Sequence, residues 1–317
     1  MARARALAWA ACALAMAAAV AGGPEARKVT YDARGFMFDG RRELLQAGSV
    51  HYPRLLPSEW RSTFRGMRQS GLNAVEFVVF WNLHEATPGK LTFEEYRYNI
   101  TRFLAEAHDE GLYAIVRIGP YICAEWALGG LPWHLRKVEA KTGMAVRTND
   151  TEWERRSGSF VDAVVGFLRR TRLLYDDGGP VVMLQIENEY GNVEAGYGNA
   201  GKRYVVDLGR QIDALNARYN LNVPWIMCQQ ADAPPNAINT VNGTSSQTSN
   251  RTRRRSAGRV SLTLSPPRQD STPGTSSRTA PAFPRCGRKS GAGGSPLGGK
   301  HAPLVRLATL RTRWQSS

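Results

Sequence analysis

Cysteine is scarce in this sequence, with four in 317 residues, and no two form a Cys-x-x-Cys pair. That scarcity excludes a small fold stapled by disulfides and a cysteine-based zinc site. The five histidines, His51, His84, His108, His134 and His301, are scattered and give no metal-ligand spacing. No metal or other cofactor is expected. No apolar run reaches the about 20 residues that cross a bilayer. The longest, 7–20, follows Arg3 and Arg5 and ends at Ala21, Gly22 and Gly23. Charge, apolar run and small residues in that order read as a secretory signal over 1–23. The protein is therefore expected to be secreted or to sit in a secretory-pathway compartment, without stable membrane association. Asn-x-Ser/Thr sequences at Asn99 and Asn149 fit export and would lie on surface loops.

Acidic residues almost vanish after residue 242. From 243 to 317 there are 14 Lys and Arg against one acid, Asp270. The net charge of +15 therefore comes mainly from the tail, and the body carries 28 basic and 26 acidic residues. A near-neutral body gives no argument for nucleic acid. The tail's densest cluster, Arg251, Arg253, Arg254 and Arg255, has no interleaved aromatics, and only Phe283 and Trp314 are aromatic in the whole stretch. Stacking on single strands needs such rings, so no nucleic-acid partner is expected. Rich in Ser, Thr, Arg, Pro and Gly, residues 243–317 bury too little to offset ordering entropy and are expected to be disordered.

Between these ends, apolar strands alternate with amphipathic helices. Strands are expected over 44–50, 73–81, 112–119, 180–186 and 223–228, with a sixth beginning at 236. Helices are expected from 57 to about 70, over 99–110, 159–174 and 201–219. Near-continuous apolar strands, each followed by a helix, indicate a parallel sheet covered by helices. No G-x-G-x-x-G turn follows the first of these strands, which disfavours an open dinucleotide-binding sheet. Polar and aromatic residues collect where the strands end, at 51–52, 81–85, 119–121 and 188–189. That is the pattern of a (β/α)8 barrel, whose chemistry sits at the C-terminal strand ends. The expected fold class is α/β, an incomplete (β/α)8 barrel of five to six strands over 24–242.

LQIENEYG (184–191) ends an apolar strand with two carboxylates, Glu187 and Glu189. Carboxylates are costly to bury unless paired or put to use. Paired acids on a barrel face point to general acid/base work or glycosyl transfer. Two acids from one strand end cannot easily flank a glycosidic bond, so a partner from a distant strand is expected.

GSVHYPR (48–54), WNLHE (81–85), GPYICAEWALGGLPWHL (119–135), LQIENEYGN (184–192), WIMCQQADAP (225–234) and NAINTVNG (236–243) stand in order along the chain. Together they resemble glycoside hydrolase family 35, the β-galactosidases, especially its plant-type branch, over roughly 28–243. The resemblance implies a (β/α)8 catalytic domain that releases terminal non-reducing β-galactose with retention, acting on galactosides of glycans or the cell wall, in the apoplast or cell wall. It implies that Glu189 is the proton donor, or acid/base. Asn188 would contact the sugar 2-hydroxyl, and Cys123, Ala124 and Glu125 would bind galactose hydroxyls. Glu187 is expected to be structural, His51 and His84 to be satisfied barrel-mouth histidines, and Cys123 to be an unreactive small residue.

Three departures stand out. Val78 occupies a position where the family carries a sugar-contacting tyrosine, and Ala86 replaces the proline of a His-Glu-Pro stretch. More seriously, the family's nucleophile, a glutamate near the end of strand seven, has no counterpart, because no glutamate follows Glu194. The chain as written is expected to be inactive on β-galactosides. Its tail is expected not to be family sequence but a translated wrong frame or retained intron. A non-catalytic sugar-binding remnant is the alternative.

Overall fold

A computed structural model describes residues 27–242 and the backbone of 308–310. The signal reading over 1–23 and nearly all of the tail reading over 243–317 lie outside the described residues.

The chain opens with a small antiparallel sheet, β1 (Val29–Asp32), β2 (Gly35–Phe38) and β3 (Arg41–Glu43). Sequence periodicity does not disclose these short strands. Their second turn does carry a signal: Asp39 and Gly40 have φ of 49° and 77°, the double left-handed pair that an Asp-Gly hairpin supplies. Phe36 and Phe38 turn inward, and Phe38 stacks on Tyr113 with ring centroids 4.7 Å apart.

Six parallel strands follow: β4 (Gln46–Ser49), β5 (Ala74–Val78), β6 (Tyr113–Gly119), β7 (Val181–Ile186), β8 (Trp225–Cys228) and β9 (Ala237–Thr240). Each pairs with the next in the order β4-β5-β6-β7-β8-β9. Every residue of β5, β7 and β8 is buried, as expected of strands covered on both faces. This is an incomplete (β/α)8 barrel. The expected strand 73–81 ends sooner, at Val78, and residues Trp81–His84 form one helical turn instead.

The whole of 243–317 was expected to be disordered. Instead β10 (Ala308–Leu310) adds parallel to β4, with Thr309 opposite Ala47. Among the described residues β9 pairs only with β8.

Five longer helices pack outside the sheet: α1 (Trp60–Gln69), α2 (Ile100–Asp109), α3 (His134–Thr142), α4 (Thr151–Arg170) and α5 (Asn199–Tyr219). Helix α2 starts where the Asn99 side chain accepts the Arg102 N–H at 2.7 Å, and Gly111, with φ of 74°, turns the chain into β6. Helix α4 begins eight residues before the expected start at 159. Asp150 caps it, accepting the N–H groups of Glu152 and Trp153 at 3.0 Å each. Ser157, Gly158 and Ser159 hide the helical period in the sequence, while the fully buried Trp153 anchors that first turn. Helix α3 was not expected at all. Phe103 of α2 forms the hub between helices and sheet, its ring centroid 5.0–5.8 Å from those of Trp60, Phe64, Phe77 and Tyr52. Trp81 stacks on Phe160 of α4 at 4.7 Å.

Candidate active site

The polar residues of this chain gather where the parallel strands end. Strand β7 runs out at Ile186, and the next three residues turn over its end. Glu187 and Glu189 both take left-handed backbone, with φ of 59° and 48°. Such a conformation is unfavourable for a residue with a Cβ and persists only where its surroundings over-determine it. Here they do. The Glu187 N–H donates to the Gly119 carbonyl at the end of β6, at 2.7 Å. The Arg147 guanidinium donates to both Glu187 oxygens, at 3.1 and 2.7 Å, and to the Asn188 carbonyl at 2.8 Å.

That ion pair is closed to solvent. Glu187 is fully buried and Arg147 is 2% exposed. The Tyr204 hydroxyl from α5 adds a hydrogen bond to Glu187 at 3.0 Å. Arg147 lies over the Tyr121 ring, 4.1 Å from its centroid, and Tyr190 donates its hydroxyl to the Arg147 carbonyl at 2.7 Å. Burial alone pulls the Arg147 guanidinium downward, but the Glu187 charge and hydrogen bonds outweigh it and leave its pKa raised. Burial, then the neighbouring Glu187 charge, pushes the Tyr204 phenol well up. Both Glu187 oxygens are therefore taken up by Arg147, Tyr204 and the Asn188 N–H inside the core.

Glu189 differs from Glu187 in exposure and in partners. It is partly exposed and meets no arginine among the described residues. One carboxylate oxygen accepts the Asn192 amide at 3.3 Å, and the other accepts the amide of the exposed Asn242, just past β9. Asn188 is buried, while Glu189 stands at the mouth. The residues 123–125 sit in the loop after β6, on the neighbouring strand end. All three have left-handed backbone, with φ of 58°, 52° and 48°. Arg54 holds them by donating to the carbonyls of Ala124 and Glu125, at 2.6 and 3.2 Å. Ala124 is buried, Glu125 is exposed, and Cys123 is half-buried and held in a disulfide. That disulfide, not a lack of activation, explains why Cys123 carries no free thiol. The strand order therefore places the five expected residues on two adjacent strand ends.

Of the two barrel-mouth histidines expected to be satisfied, His84 is, whereas His51 is half-buried with no hydrogen-bond partner for its Nδ1 among the described residues. His84 donates from Nδ1 to the Thr92 carbonyl at 2.6 Å, so its Nε2 accepts the Tyr52 hydroxyl at 2.6 Å. Burial lowers the pKa of both His84 and His51 to about 4. Glu85 accepts the Trp81 indole at 2.5 Å and the Gly89 N–H at 2.7 Å. In the barrel interior, Glu76 pairs with Arg117 at 2.8 Å and accepts the Ser49 hydroxyl at 2.5 Å. Val78 is fully buried.

Sequence reasoning missed Arg147, Tyr204, Arg54 and Asn242. Nothing beside Arg147 in the chain marks it, since its partner is 40 positions away. Asn242 stood inside a recognised motif, but its role needed the juxtaposition of β7 and β9. Among the described residues no His, Cys, Asp or Glu group could hold a metal ion, and no helix is long and apolar enough to cross a membrane.

Comparison with known proteins now has a geometry to rest on. The sequence profile of glycosyl hydrolases family 35 matches residues 35–280, extending past the compositional change at 243. Beta-galactosidase 10 of Arabidopsis thaliana is 41% identical over 219 residues, covering 69% of this chain and 28% of that protein. Beta-galactosidase 6 of Oryza sativa subsp. japonica is 41% identical over 222 residues, covering 70% and 25%. Beta-galactosidase 14 of Arabidopsis thaliana is 40% identical over 215 residues, covering 68% and 23%. The chain spans about a quarter of the length of the curated relatives it matches. With the profile matching most of its length and its motifs lying at adjacent strand ends of a parallel barrel sheet, the chain belongs to glycosyl hydrolases family 35.

Proposed function

We propose that this chain carries one half of a retaining galactosidase site, with Glu189 as proton donor to the departing sugar oxygen. The observation that carries the reading is the division of labour between the two carboxylates. Glu187 is consumed by Arg147, whereas Glu189 is partly exposed at the strand end and, among the described residues, accepts hydrogen bonds from neutral amides alone. Retaining hydrolysis needs a second carboxyl about 5–5.5 Å from the first, acting as nucleophile. No glutamate follows Glu194 to supply one from a later strand. The substrate class is a terminal β-galactoside of a glycan or cell-wall polymer. Asn188 and residues 123–125 are the sugar contacts. An exported location follows from the 1–23 signal reading.

On this reading the 317 residues bind galactose but do not turn it over. The test is a galactose titration of the purified chain beside a turnover assay with 4-nitrophenyl β-D-galactoside. Binding without turnover above a Glu189→Gln control is the expected result. Absence of galactose binding would refute the sugar site, and turnover above that control would refute the missing nucleophile. Binding that survives in Glu189→Gln favours the second reading, a non-catalytic sugar-binding remnant, which the consumed Glu187 also supports.

A further inference from the structure

Strand β8 ends in Cys228, a buried free thiol that nothing above uses. Its surroundings are unusual for a cysteine in a core. The sulfur lies 3.3 Å from the Glu189 backbone nitrogen and 3.3 Å from Gln185 Nε2, both of which donate to it. It lies 3.9 Å from Asn188 Oδ1, which accepts the S–H. Gln185 Nε2 also donates to the Glu187 carbonyl at 2.9 Å. One side chain from β8 therefore touches Gln185, Asn188 and Glu189 of the β7 end together.

We infer that Cys228 is a positioning residue for the Asn188–Glu189 pair, resting on the sugar-site reading of that pair. Two consequences follow from hydrogen-bond direction. First, the sulfur takes up the Glu189 N–H, which the left-handed turn points into the protein away from any strand partner. An N–H turned toward the protein and left unpaired is costly, so the sulfur helps keep the turn that presents the Glu189 carboxylate. Second, the S–H donates to Asn188 Oδ1, and only the oxygen end of that amide can accept it, so this bond holds the amide with Oδ1 toward sulfur. Burial raises the thiol pKa, which keeps that proton in place. Asn188 then offers its NH₂ to a ligand, so the sugar hydroxyl it meets acts as acceptor. No hydrogen bond engages Asn188 Nδ2 among the described residues.

Serine has the same valence but a shorter reach, since a C–O bond is shorter than a C–S bond. Both 3.3 Å contacts cannot be kept by an oxygen at the same Cβ without movement. Alanine loses both the acceptor and the donor.

The test uses the full chain with Cys228→Ser and Cys228→Ala. Amide exchange is read by NMR at Glu189 and at core amides of β5 and β6, and galactose affinity is read in parallel. The expected result is a loss of protection at Glu189 of about tenfold or more in Cys228→Ala, beyond any change at the core amides, with partial recovery in Cys228→Ser. Galactose affinity falls in the same order. Unchanged relative protection at Glu189 in Cys228→Ala overturns the inference, whether or not sugar binds. Lost protection with unchanged galactose affinity also overturns it. If Glu189 loses protection while even the parent chain fails to bind galactose, the sugar reading fails and the positioning of the turn stands. Should Cys228→Ala fail to fold, Cys228→Ser decides by the same comparison.

Discussion

Removing Arg147 is the sharpest test of how this strand end is held. Arg147→Met keeps most of the side chain's length and deletes its charge. Glu187, with none of its surface exposed, would then keep only the Tyr204 hydroxyl and the Asn188 N–H as partners. The Asn188 carbonyl would lose its donor as well. Breaking a buried ion pair from one side costs about 3–5 kcal/mol, because an uncompensated charge remains. Domains of ordinary stability have only about 5–15 kcal/mol in total. At a urea slope of about 2–3 kcal/mol per molar, the unfolding midpoint should drop by roughly 1–2.5 M. Urea unfolding followed by the fluorescence of the buried Trp81, Trp153 and Trp225 reads this directly. Replacing both partners, Arg147→Met with Glu187→Gln, should recover part of the loss, since no buried charge is then stranded. A single-variant loss under about 1 kcal/mol would refute the reasoning, for it would mean that water reaches Glu187 or that the pair is exchangeable. So would a double variant less stable than Arg147→Met.

Other outcomes are as specific. Gly129 has a φ of 61°, and a Cβ there would lie 2.0 Å from the Tyr121 ring. Gly129→Ala should destabilise by about 1–3 kcal/mol in a urea melt, and an unchanged midpoint would show that the 121–133 loop is not packed this way. Glu154 sits between α4 and α5, where burial, then the Asp207 carboxyl, raises its pKa to about 7, with Asp150 adding and Arg210 opposing. The folded state then holds a proton that the unfolded chain, near 4.5, has lost. Its stabilisation is complete below pH 4.5 and gone above about 7. Glu154→Gln should flatten that fall in Tm, and an identical pH profile in the variant would count against it. His84 acts in the opposite direction. Folded, it titrates near 4 rather than 6.5, so its contribution is complete above pH 6.5 and lost as pH falls toward 4. His84→Gln should weaken the acid-side loss of Tm, leaving the parallel share of His51. Equal slopes in parent and variant would show that His84 is not buried neutral.

Much of the fold was legible because strand and helix signals are local. The apolar runs that became β5, β6 and β7, and the glycine that ends α2, report the environment of their own few residues. So do the polar residues after each strand, which gather at one end of the barrel, while the roles expected of Asn188 and Glu189 came from the family resemblance. The three short strands before β4, helix α3 and the first two turns of α4 escaped notice. Short strands have too few residues for a period, and Ser157, Gly158 and Ser159 interrupt the one that α4 carries.

Which carboxylate is structural and which is presented was suspected from motif position, but only the tertiary structure decided it physically. Glu187 and Glu189 are chemically identical and two residues apart. They differ because the left-handed turn over β7 sends one side chain inward to Arg147, Tyr204 and the core, and leaves the other at the mouth beside Asn192 and Asn242. Those partners come from four separate segments of chain. A hydrogen bond depends on distance in space, and a sequence records distance along the backbone only. The chain's own residues therefore determined that an acid would stand at the barrel mouth, and packing determined which one.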